Sequence, residues 1–169
     1  MEYIRALHPS DYDDTDGRFT SAVFTRPKSD EKGISVFNCE CAIAQSGSVC
    51  QHARLYYSRL TSEPPVLWIL EDSHLLNNLR TAKGKAIEIK QTEGKQDRWC
   101  HYEIYGGSRG GYRSYAAQNA KPPNILICKD NVTVIASTST LATLHQRYPR
   151  RTMKPEKKSE NRPYPEREV

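Results

Sequence analysis

The chain has no long apolar run. Its longest, VLWIL at residues 66–70, is far short of the ~18 residues a membrane-spanning helix needs, so no membrane partner is expected. The opening stretch MEYIRALHPSDYDD has no apolar segment of the kind found in secretory leaders and turns acidic at once, which predicts a cytoplasmic location. A phosphate-cradling loop is missing too: YGGSRGGYRSY contains no Gly-x-Gly-x-x-Gly spacing, and no Lys-Ser/Thr follows it. The acidic stretch PSDYDDTDG does not make a calcium loop. With Gly17 at the sixth position, Tyr12 falls at the first ligand position and Val23 at the twelfth, where acids are required. A disulfide framework is not expected either, because the five cysteines are odd in number and a cytoplasmic site keeps thiols reduced.

What is present suits one small soluble domain. A length of 169 residues allows a genuine core, and 37% hydrophobic against 27% charged residues is a globular composition. The formal charge of +5 is uneven, because residues 150–169 hold seven basic and four acidic side chains. The body is therefore only weakly basic, and charge alone is poor evidence for a nucleic-acid footprint. From residue 149 onward the chain is polar and carries Pro155, Pro163 and Pro165, so a disordered basic tail (149–169) is expected to follow a domain over 1–148.

Strands are predicted at EYIRALH, PVLWIL, KAIEIKQT, DRWCHYEIYG, NILICKD and NVTVIAS, where β-branched and aromatic residues run together or alternate. The last two flank Asp130–Asn131, a hairpin signal. RFTSAVFTR and GISVFNCEC, joined by PKSDEK, form a second hairpin candidate. Helices are predicted at VCQHARLYYSRL, DSHLLNNLRTAKG and TSTLATLHQRY from apolar spacing and caps. The fold class is α+β, an antiparallel or mixed sheet with two or three helices.

The stretch NCECAIAQSGSVCQH orders its ligand types as Cys-x-Cys, a spacer, then Cys-x-His. Two thiols two residues apart on an extended segment share a face, and a helix start keeps a thiolate ionised, so tetrahedral zinc is chemically sensible here. Inert core cysteines and redox chemistry are the other readings of the same residues. Cys128 in ILICK reads as a core residue. The order of these residues resembles the SWIM zinc finger, over about residues 19–60. That resemblance implies a hairpin–helix unit in which Cys39, Cys41, Cys50 and His52 hold zinc, attached to proteins that bind DNA or other proteins. The chain departs from the family in having AIA after the first pair and Val49 before the third cysteine.

Cys100 and His101 are adjacent on a predicted strand, so at most one faces any given site, and either is a possible substitute ligand. A metal held by Cys50, His52 and one of these two, with water in the fourth place, would make a small enzyme rather than a binding module. Arg5, His8, His101 and Tyr102 are the polar residues to watch in such a cleft. The stretches YIRALHP, VCQHARLYY and WCHYEI also resemble bacterial proteins of similar length, which implies no function. In the glycine-rich loop, Arg109, Tyr112, Arg113 and Tyr115 combine phosphate-pairing and base-stacking groups, and Arg150 and Arg151 open the basic tail. The leading expectation is a zinc-stabilised binding module that contacts nucleic acid or a partner protein. An enzyme with a Cys/His-lined site is the alternative.

Overall fold

The computed structural model describes residues 1–24, 33–56, 62–79, 87–92 and 100–149. In chain order these form β1 (Glu2–Leu7), a 3-10 turn (Pro9–Asp11), β2 (Tyr12–Asp13), β3 (Arg18–Phe19), a second 3-10 turn (Ser21–Phe24), β4 (Ile34–Asn38), α1 (Cys39–Ser46) and α2 (Val49–Tyr56). Then come β5 (Val66–Glu71), α3 (Asp72–Asn78), β6 (Glu88–Gln91), β7 (His101–Tyr105), α4 (Arg109–Asn119), β8 (Ile125–Lys129), β9 (Val132–Ile135) and α5 (Thr138–Arg147). The domain is α+β. Seven strands pair antiparallel in the order β6-β7-β4-β1-β5-β8-β9, and β2 pairs with β3. No described helix is long and apolar enough to cross a membrane.

The register sorts the side chains onto two faces. Residues opposite each other in an antiparallel ladder point the same way, so Tyr3, Leu70, Trp68 and Ile125 share one face. That face carries the main core, where Trp68, Val36, Ile104 and Ile125 pack with Phe19, Phe24, Leu75, Tyr112, Tyr115 and Leu141. On the other face, Ile4 lies opposite both Phe37 and Ile69. There Phe37 and Ile4 pack with Cys39, Ala42 and Cys100, and Leu67 packs with Cys50, Ala53 and Cys128. With apolar cover on both sides, β5 reads as a continuous apolar run rather than an alternation.

Local chemistry accounts for the element ends. Asp130 and Asn131 both take positive φ, 49° and 65°, the backbone of a two-residue hairpin turn between β8 and β9. Ser137 caps α5 by accepting from the Thr140 N–H. The described residues of the second predicted hairpin do not pair with each other. Arg18–Phe19 pairs with Tyr12–Asp13, while Ile34–Asn38 lies between β1 and β7.

Two further helices appear where none was predicted, because their N-caps outweigh β-rich or glycine-rich composition. Asn38 accepts from the Cys41 N–H and starts α1 straight after β4. Ser108 accepts from the Gly111 N–H and starts α4 inside the glycine-rich stretch. Gly107 is there for space, since a Cβ on it would lie 2.2 Å from the Tyr112 ring. The expected tail lies outside the described residues beyond position 149.

Candidate functional site

The cysteines meet in an order that spacing does not reveal. Cys41 is bonded to Cys100 and Cys50 to Cys128, across 59 and 78 residues of sequence. The expectation that no disulfides form is corrected, because the sheet order carries α1 to the start of β7 and α2 over β8. Cys39 and Cys41 stand on the first turn of α1, not on an extended segment, so they point about 200° apart around the helix. Cys50 and His52 are spaced likewise on α2. Among the described residues no three of His, Cys, Asp and Glu converge on a metal position. Cys39 is the remaining free thiol; it is 7% exposed, and burial pushes its pKa up to about 12, so it stays protonated and unreactive.

His52 is 1% exposed, with its ring against Phe37 and Tyr56 at 4.8 and 4.5 Å between centroids. Its Nδ1 is 3.0 Å from Ser46 Oγ, and its Nε2 has no partner among the described residues. Burial lowers its pKa to about 4. The unfolded chain therefore takes up a proton near pH 6.5 that the folded chain takes up only near pH 4. Stability contributed by His52 is complete above pH 6.5 and falls as the pH drops through that window, by at most about 3 kcal/mol. Denaturant melts at pH 7 and pH 4.5 should show this fall in the native chain and a smaller one in His52→Phe; equal falls would place the proton uptake elsewhere.

His101, a candidate substitute metal ligand, lies beside Phe37 on β7. That strand alternates His101, Glu103 and Tyr105 on one face, and β4 brings Ser35 opposite Glu103 and Phe37 opposite His101. Nε2 of His101 is hydrogen-bonded to Ser35 Oγ. Nδ1 is 2.5 Å from Thr92 Oγ1, which is itself 3.2 Å from the His101 carbonyl oxygen. For the neutral imidazole, one proton arrangement satisfies all three contacts. Thr92 donates to the carbonyl, so it accepts from Nδ1–H, and Nε2 is left as the lone-pair nitrogen that accepts from Ser35 O–H. Arg5, reaching from the opposite face, fixes the backbone under this serine by donating from its guanidinium to the Ser35 carbonyl at 2.6 Å and the Val23 carbonyl at 2.5 Å.

Next to Ser35, Glu103 Oε2 accepts from the Gly33 N–H at 3.1 Å and from Tyr105 O–H. This bond holds Tyr105 in its neutral form, raising its pKa. Gly33 permits the close approach, since a Cβ on it would stand 2.8 Å from the Glu103 Cβ. Ser35, Glu103 and Tyr105 are half-buried, whereas His101 is 5% exposed.

The proposed nucleic-acid residues are placed differently. Tyr112 and Tyr115 are 4% and 3% exposed, and both pack on Phe24 in the main core, so neither ring is presented for stacking on a base. Arg113 is exposed on α4, Arg109 is the first residue of that helix, and Arg150 and Arg151 lie outside the described residues. His8 accepts from the Ser10 N–H, and Tyr102 packs edge-on against Tyr3; neither joins the His101 group.

Nothing local in the sequence singles out Ser35, Thr92 or Glu103. HYEIY already puts His, Glu and Tyr on one face of a strand, but Ser35 and Thr92 join them only through register. Comparison with family models, curated proteins and solved structures finds no match to this chain.

Proposed function

We propose that the chain is a small enzyme of serine-type acyl transfer or ester hydrolysis, with Ser35 as nucleophile, His101 as general base and Thr92 as the residue that orients the imidazole. The observation that carries this is the pair of contacts at His101, Ser35 Oγ on Nε2 and Thr92 Oγ1 on Nδ1, which in the neutral ring commit Nδ1–H to Thr92 and leave Nε2 as a base on Ser35 Oγ. In the reaction Ser35 Oγ forms a bond to the acyl carbon while its proton passes to Nε2. The leaving alcohol takes that proton as the acyl–oxygen bond breaks; water then bonds to the acyl carbon while its proton passes to Nε2, and that proton returns to Ser35 Oγ as the acyl–Oγ bond breaks and the acid leaves. Threonine stabilises the intermediate imidazolium less than a carboxylate would, so turnover is slow.

A fluorophosphonate reagent tests the assignment. It should label Ser35 in the native chain and fail in Ser35→Ala. In His101→Ala the labelling rate should drop by about 10²- to 10⁴-fold, with the melting transition retained. No label, or a label spread over other serines, sinks the reading. The zinc-stabilised binding module draws its support from the sequence pattern alone; it would require the thiols of Cys41 and Cys50 freed from their partners, and metal content of the reduced protein is its test.

A further inference from the structure

Resting on the serine-type reading, we infer that the substrate is cationic: an ester with an ammonium or guanidinium group close to its carbonyl, received by Glu103. Ser35 and Glu103 are directly opposed on β4 and β7, which puts their Cβ atoms about 5 Å apart on one face. The carboxylate is oriented from below, by the Gly33 N–H and Tyr105 O–H on Oε2, while Oε1 accepts nothing from the described residues. Lys90 is the cross-strand neighbour on the far side, and its ammonium is turned to Glu88 at 2.5 Å and lies over the Tyr105 ring at 5.9 Å.

A fixed negative charge one side chain from the nucleophile repels anionic acyl groups and attracts a cation. Phe37 flanks His101 on the other side, at 5.4 Å between ring centroids, and supplies an apolar wall. The carbonyl would sit at Ser35, with the apolar part of the substrate toward Phe37 and the cationic part at Glu103.

Two fluorophosphonates of equal size test this, one ending in trimethylammonium and one in tert-butyl. The cationic reagent should label Ser35 about tenfold faster or more in the native chain. Glu103→Gln, which still accepts from Gly33 and Tyr105, should bring the two rates together, and Glu103→Lys should reverse the preference. Equal rates in the native chain overturn the inference and leave the serine assignment standing; no label with either reagent removes both. An independent reading comes from Ser35→Ala, where tetramethylammonium should shift the Gly33 amide resonance, because that N–H is bonded to Glu103. It should leave the resonance in place in Ser35→Ala/Glu103→Gln. An unshifted Gly33 amide in Ser35→Ala also overturns the inference.

Discussion

Replacing Cys50 and Cys128 together with alanine lowers the unfolding free energy by about 4 kcal/mol and the melting temperature by roughly 8 to 16 °C. The expectation follows from the loop this bridge closes. A cross-link spanning 78 residues removes much of the freedom of the unfolded chain, and the chain-entropy relation places its worth near that figure. Both sulfurs are fully buried beside Leu67 and Ala53, so alanine leaves a small apolar gap and no unpaired polar group. The Cys41–Cys100 bridge spans 59 residues, and its removal costs a similar amount. The two losses do not simply add, because the loops overlap and each bridge already restrains part of the other's segment.

Access separates the two bridges. Cys41 is half-buried, whereas Cys50, Cys128 and Cys100 are 0% exposed. A small dithiol should therefore reduce Cys41–Cys100 first, and peptide mapping of partly reduced protein reads the order. Melting temperatures that do not respond to the alanine pair would mean the two thiols are not joined in solution.

Phe24→Ala should cost about 3 to 5 kcal/mol. Phe24 sits at the end of a single 3-10 turn, yet its ring meets Trp68 at 5.1 Å, Tyr112 at 4.7 Å and Tyr115 at 6.1 Å between centroids. It thus joins β5 to α4 through the centre of the main core. Truncation removes a large buried ring and leaves a cavity walled by three aromatic rings, which are too rigid to close over it. Phe24→Leu keeps apolar bulk while losing the ring geometry, and roughly 1 to 2 kcal/mol is expected for it. Urea melts of the two variants measure both losses. A cost under about 1 kcal/mol for the alanine variant would put this turn outside the cooperative core.

Strand and helix types were legible wherever the signal is local. Alternation marks β6, a short apolar run marks β5, Asp130–Asn131 marks the β8–β9 turn, and Ser137 marks the start of α5. Each depends on a few neighbouring residues, because side-chain period, turn backbone and capping are properties of a short stretch of chain. Two local signals are masked by their surroundings. Asn38 and Ser108 begin α1 and α4, but the stretch leading into the first is β-rich and the second lies in a run of glycines.

The pairing of cysteines and the assembly at His101 belong to tertiary structure alone. Cys-x-Cys and Cys-x-His invite the thought of one shared metal, whereas strand order sends Cys41 to Cys100 and Cys50 to Cys128. Ser35 and Thr92 reach the two nitrogens of one imidazole only because β4 and β6 flank β7 in a particular register. Shifting either strand by one residue would turn its hydroxyl to the other face of the sheet. The sequence carries which residue types are available and their local periods; which of them touch is decided by the order and register in which distant strands bury their apolar faces.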